Sequence, residues 1–152
     1  MKINVNKLNL NINGKQILDN VSFGIEENTF TCILGHNGSG KSSILRAIVG
    51  EIKTYLGDIK IPIKETAYLP QEIETPPFIT VYDIISLGFY NRKIPTAKKN
   101  QIIDSLIKDC GISHVKQLSF EEISAGEKQR TWIAFILAQS KNIMLLDEPF
   151  SS

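Results

Sequence analysis

The chain has 152 residues, a length that suits one domain and can bury a substantial core. With 42% hydrophobic and 22% charged residues, its composition excludes a disordered polymer; a net charge of +1 gives no basic field for nucleic acid and no acidic tail. Every apolar run is far shorter than the roughly 20 residues of a bilayer-spanning helix, and the alternating N-terminus lacks the continuous apolar stretch of a signal peptide.

Apolar residues at Ile3, Val5, Leu8, Leu10 and Ile12, largely a period of two, predict a strand. Asn13-Gly14 predicts a hairpin turn into a second strand through Ile17, Val21, Phe23 and Ile25. Glu26, Glu27 and Asn28 turn the chain into Phe30–Leu34, an expected short strand buried on both faces. Glycines at 35, 38 and 40 interrupt regular structure. Ile44, Leu45, Ile48 and Val49 then form a helical stripe that Gly50 ends. Leu56-Gly57-Asp58 reads as a turn, and Thr66–Leu69 as a short strand halted at Pro70. Residues 71–77 shift to acids and prolines, a loop expected to be mobile. Val81–Phe89 and Thr96–Ile107 read as helices, and Glu127–Gln139 as a helix apolar nearly all round. Ile143–Leu146 is an expected buried strand. Cys32 and Cys110 have no pairing or metal spacing and read as two free thiols in a reducing cytosol.

Three segments carry chemistry. Gly35, His36, Asn37, Gly38, Ser39, Gly40, Lys41 and Ser42 match Gly-x4-Gly-Lys-Ser between an expected strand and an expected helix. In such a loop the glycines free the backbone to wrap phosphates, and the helix adds its positive end. Lys41 can reach the β- and γ-phosphates and the Ser42 hydroxyl can hold Mg²⁺. A bare glycine-rich turn is the bland alternative, and the expected strand before it and helix after it argue against that. Asp147 and Glu148 follow four apolar residues, so they stand at the carboxyl end of a strand, where open α/β sheets bind ligands. Asp147 can support Mg²⁺ and Glu148 can polarise the attacking water. Ser124, Ala125, Gly126 and Glu127 by themselves describe a helix N-cap.

In this order, the phosphate loop, Leu69-Pro70-Gln71, Ile123–Arg130 and Leu146–Pro149 resemble the ATPase subunit of an ABC transporter over essentially the whole chain, 1–152. The family signature Leu-Ser-Gly-Gly-Gln-x-Gln-Arg is met with Ile123, Ala125 and Glu127 as departures. The resemblance implies an α/β fold: a P-loop NTPase with a RecA-like core, antiparallel N-terminal strands and an inserted helical subdomain at about 76–140, incomplete at the C-terminus. It implies an ATP site over Gly35–Ser43, including Ser43. It makes Glu148 and Gln71 catalytic, and Ser42, Gln71 and Asp147 metal-holding. Ser124, Ala125, Gly126 and Glu127 would form the partner-site signature, in which Ser124 and the N–H groups around Gly126 bind the γ-phosphate held by a partner subunit.

The same resemblance implies ATP and Mg²⁺ as cofactors and a nucleotide-sandwiching dimer, expected to be a homodimer. The other implied partners are membrane permease subunits and a solute-binding protein, with no nucleic acid. The expected location is peripheral, on the cytoplasmic face of the membrane. Thr80–Phe89 and Gln129–Gln139 resemble ATPases of iron–siderophore, cobalamin and metal-ion importers. A soluble ABC ATPase and a non-catalytic truncated chain stand as competing readings.

Two departures bear on the reading. Ile12 stands where the family usually places an adenine-stacking aromatic, a loss of about 1 kcal/mol of stacking. The only histidines, His36 and His114, both precede the acids, whereas the family's switch histidine follows them. The chain is therefore expected to be a fragment, poorly soluble and weakly active alone. A vacancy of about 9–10 Å is expected between the strands Phe30–Leu34 and Ile143–Leu146, which should not be hydrogen-bonded neighbours.

Overall fold

A computed structural model describes residues 3–148. The chain divides after Thr66 into two compact units. Pro149 and the residues after it, like Met1 and Lys2, lie outside the described residues.

In the first unit, β1 (Ile3–Ile12) is the central strand of an antiparallel sheet, flanked by β2 (Lys15–Ile25) and β3 (Tyr55–Lys60). The Asn13-Gly14 hairpin forms as expected, with both residues at positive φ (50° and 79°), the twist a two-residue turn needs. Ile3, Val5, Leu8 and Leu10 are buried. The three-residue step from Val5 to Leu8 breaks the period of two, and a β-bulge absorbs it: Lys7 takes φ 49° and the register shifts against both neighbours.

The bulge explains one correction. Leu56-Gly57-Asp58, expected as a turn, lies inside β3, opposite the bulged residues. Gly57 has φ 108°, and a Cβ there would sit 2.5 Å from the Lys7 carbonyl oxygen and 2.6 Å from that of Asn6. Its glycine marks a close backbone approach within a strand, a sequence signal shared with turns. Gly57→Ala is therefore expected to cost about 1–3 kcal/mol, read by denaturant unfolding. Asp58→Ala, on an exposed neighbour, should stay within about 0.5 kcal/mol.

A second correction concerns Phe30–Leu34. Residues 29–36 belong to neither sheet, and Phe30 and Leu34 are 91% and 90% exposed. An apolar run becomes a strand only beside a lateral partner that takes up its N–H and C=O groups, and both edges of β1 are occupied by β2 and β3. Helix α1 (Lys41–Ile48) follows the phosphate loop and buries Ile44, Leu45, Ala47 and Ile48 before Gly50 turns the chain at φ 80°.

The second unit is mainly helical. Its small sheet pairs β4 (Thr66–Leu69) with β5 (Ile143–Leu146). Helices α2 (Val81–Leu87), α3 (Thr96–Asp109) and α4 (Ala125–Ala138) share one core built from Val81, Ile84, Ile85, Ile103, Ile107 and Ala134. Thr80 starts α2 with a reciprocal capping box to Asp83. Arg92 donates to the Ala138 carbonyl at 2.6 Å, satisfying the C-terminal end of α4 with a cation.

Two burial expectations need correcting. Met144 in β5 is 45% exposed between buried Ile143 and Leu145, so the strand is not covered on both faces along its whole length, although Leu146 on the Met144 side packs against Ala67, Leu69 and Ile136. Leu137 is 40% exposed, so α4 has a solvent side despite its apolar sequence. Both cysteines are free; burial pushes the Cys110 thiol above its ordinary pKa and Cys32 is exposed. Among the described residues, no helix is long and apolar enough to cross a membrane.

Candidate functional site

The phosphate loop runs from Gly35 to the start of α1. Gly40 is the N-cap residue at φ 95°, and a Cβ there would lie 2.9 Å from a methyl of Leu18, so β2 presses the loop into place. Ser39 donates its N–H to the His36 carbonyl at 3.1 Å, closing the turn. The Lys41 ammonium reaches back over the loop to the carbonyls of Gly35 and His36, at 3.1 and 3.2 Å. An ammonium hydrogen-bonded to carbonyl oxygens can exchange them for a phosphate oxygen, which binds it more strongly. Gly35, His36, Asn37 and Gly38 are exposed, Ser39, Lys41, Ser42 and Ser43 half-buried. The first turn of α1 aims its backbone amides toward the loop, as anion binding requires.

The second unit holds the acids. Asp147 donates its N–H to the Leu69 carbonyl at 2.9 Å, carrying the pairing of β4 and β5 one residue beyond the strand. The residue ends up only 4% exposed just beyond the end of β5. Glu148 then takes φ 45°, a left-handed backbone that turns the chain sharply at the strand end. Gln71 donates from Nε2 to Glu148 Oε2 at 3.0 Å, across 77 positions of sequence. These three residues line a cleft of about 220 Å³ together with Pro70, Ala125, Lys128, Gln129 and Trp132.

Gln71, Asp147, Glu148 and Ala125 are thus brought together, whereas Ser124, Gly126 and Glu127 do not line the cleft. Lys128 and Trp132 are additions that spacing does not reveal. Trp132 stands between Phe120 and Phe135 in edge-on contacts with ring centroids 5.2 and 5.6 Å away, which fixes the wall it supplies.

Magnesium takes oxygen donors, keeps several waters, and needs only one or two carboxylates beside a substrate's phosphates. Among the described residues no group of three or more His, Cys, Asp or Glu side chains could hold a metal. A buried carboxylate at the cleft and the amide oxygen of Gln71, left available by its Nε2 bond, match that sparse donor set. The residues fit the ion.

The start of α4 carries a capping box. Ser124 donates its N–H (2.8 Å) and hydroxyl (2.6 Å) to Glu127 Oε2 and accepts from the Glu127 N–H at 3.4 Å. His114 Nε2 lies 2.7 Å from Glu127 Oε1. The Ser124 hydroxyl first, then the Ser124 N–H and His114, hold the Glu127 carboxyl down at about 2 instead of the usual 4.5. A carboxyl depressed on folding stabilises the helix start above about pH 4.5 and loses that contribution as the pH falls toward about 2. Wild type should therefore lose more stability than Glu127→Gln when denaturant midpoints are compared at pH 6 and pH 3; equal losses would remove this carboxylate from the acid response.

The family model for ABC transporters matches residues 18–151. A Thermotoga maritima protein, named as a probable metal transport system ATP-binding protein, is 38% identical over 151 residues, covering 97% of this chain and 61% of its own. The hemin import ATP-binding protein HmuV of Shewanella denitrificans is 31% identical over 167 residues, covering 99% and 66%. The structure of CbiO1 from Clostridium perfringens, part of the ABC transporter complex CbiONQ, superposes with a TM-score of 0.81 at 29% identity, covering 97% of this chain and 65% of that one. The chain spans between 51% and 66% of the length of these and similar curated relatives. With its phosphate loop, its paired acids at a strand end and its capped signature helix, the chain belongs to the ABC transporter family and has the α/β P-loop NTPase fold of that family's ATP-binding domain.

Proposed function

We propose that the protein is the ATP-binding and ATP-hydrolysing subunit of an ABC importer for a metal ion or metal chelate such as an iron–siderophore, heme or cobalamin. The observation that carries the catalytic part is the cleft in which Gln71 grips Glu148 beside buried Asp147. Gly35–Ser43 bind the phosphates of ATP, with Lys41 leaving its loop carbonyls for the β- and γ-oxygens. Ser42, Gln71 and Asp147 hold Mg²⁺, which when bound neutralises charge on the phosphates. Glu148 orients the attacking water and accepts its proton, and Gln71 keeps that carboxylate facing the cleft. Ser124, Ala125, Gly126 and Glu127 complete the site of a second ATPase subunit, a copy of the same chain.

The helices of the second unit, within the proposed subdomain at about 76–140, meet the membrane permease subunits, and a solute-binding protein delivers the cargo. The subunit sits on the cytoplasmic face of the membrane as a peripheral component. The relatives' names, metal transport and hemin import, support the importer class.

The test is nucleotide binding and turnover by the full-length protein. Lys41→Ala should weaken ATP binding at least about tenfold by removing a charge-assisted phosphate contact. Turnover should rise more steeply than linearly with subunit concentration until dimers saturate. Unchanged affinity in Lys41→Ala, together with strictly linear activity down to dilute protein, would overturn the reading.

A further inference from the structure

The signature helix carries its own negative charge at the place where an incoming phosphate is to be bound. The single hydroxyl proton of Ser124 is given to Glu127 Oε2 at 2.6 Å, and the same oxygen takes the Ser124 N–H at 2.8 Å. Both donors are those an anion at this helix start would use. A carboxylate at the third helical position therefore competes with a phosphate for donors and repels it by charge.

The other carboxylate oxygen has a partner from a different element. His114 belongs to the 3-10 turn Ser113–Val115, which Ile112 (0% exposed) and Val115 (5%) anchor in the helical core. Its ring stays 64% exposed, yet Nε2 reaches Glu127 Oε1 at 2.7 Å, and the Glu127 side chain is only 15% exposed. With a carboxylate as acceptor, that nitrogen carries the proton. Glu127 is thus held from two sides, through Oε2 by Ser124 and through Oε1 by His114.

We infer that His114 is a positioning residue for the signature: it keeps Glu127 docked on the core side, so that the Ser124 hydroxyl can turn to a phosphate while the carboxylate stays out of the way. The inference rests on the proposed role of Ser124 in binding phosphate held by a second subunit. Without His114, releasing the hydroxyl leaves Glu127 tethered by the Ser124 N–H alone and able to swing into the anion's position. Closure on ATP then needs more ATP, while the reacting groups of the closed state are unchanged.

The experiment is steady-state ATP turnover by the full-length protein in a double-mutant cycle. His114→Ala should raise KM for ATP about fivefold, the scale of one partly exposed charge-assisted bond, with kcat within about twofold. His114→Gln, which keeps a side-chain N–H donor, should return KM toward wild type. In a Glu127→Gln background no carboxylate needs restraint, and adding His114→Ala should change KM by less than about twofold. An unchanged KM in His114→Ala, an equal rise in both backgrounds, or failure of His114→Gln to rescue would each overturn the inference. A wild-type protein without ATP turnover would overturn the underlying reading with it; normal wild-type turnover beside any of those three results overturns this inference alone.

Discussion

Glu148→Gln is expected to lower ATP turnover by about 10²- to 10⁴-fold, the range a positioned general base contributes, while leaving ATP affinity nearly unchanged. Glutamine has the same shape and can still meet Gln71 and the solvent of the cleft, so the loss isolates the carboxylate's basicity. The carboxylate is placed by three constraints: the Asp147–Leu69 bond that ends the strand pairing, the left-handed turn at Glu148 itself, and the 3.0 Å bond from Gln71. Gln71→Ala removes only the last of these and should cost less than Glu148→Gln. Single-turnover hydrolysis beside equilibrium nucleotide binding separates the two effects. Wild-type turnover in Glu148→Gln would show that another group takes the proton from water.

Ile85→Ala should produce a large loss of stability in the second unit, about 2–5 kcal/mol. Ile85 has no solvent exposure and belongs to the core that α2, α3 and α4 share. The three carbons lost there leave a cavity between rigid helices, since interiors packed to crystal-like density relax only in part. Leu87 on the same helix is 55% exposed, and Leu87→Ala should change stability by no more than about 0.5 kcal/mol. Denaturant unfolding followed by far-UV circular dichroism reads both. A loss at Ile85 no larger than that at Leu87 would mean that the helical core does not hold this unit together.

Much of the molecule was legible in the chain because the governing physics is local. The Asn13-Gly14 hairpin depends on two residues that tolerate positive φ, α1 on an apolar stripe ended by Gly50, and β4 on Pro70. The Gly-x4-Gly-Lys-Ser pattern over Gly35–Ser42 and the Asp147-Glu148 pair behind its apolar run are matters of residue type and spacing, so these segments stand out in the chain as candidates for phosphate and water chemistry.

The tertiary structure decided what depends on partners distant in sequence. Phe30–Leu34 has the composition of a buried strand and is exposed, because strand formation requires a lateral neighbour that composition cannot supply. Gly57 signals a turn and instead accommodates a bulge some fifty residues earlier at Lys7, a steric fact between two strands. Met144 and Leu137 show the same limit for burial: an apolar residue faces whatever its neighbours leave uncovered. The bonds Gln71–Glu148 and His114–Glu127 join residues 77 and 13 positions apart, and no local pattern encodes either. Residue types and their spacing thus determined which chemistry the chain can support, while packing decided which of its side chains hold one another in place to perform it.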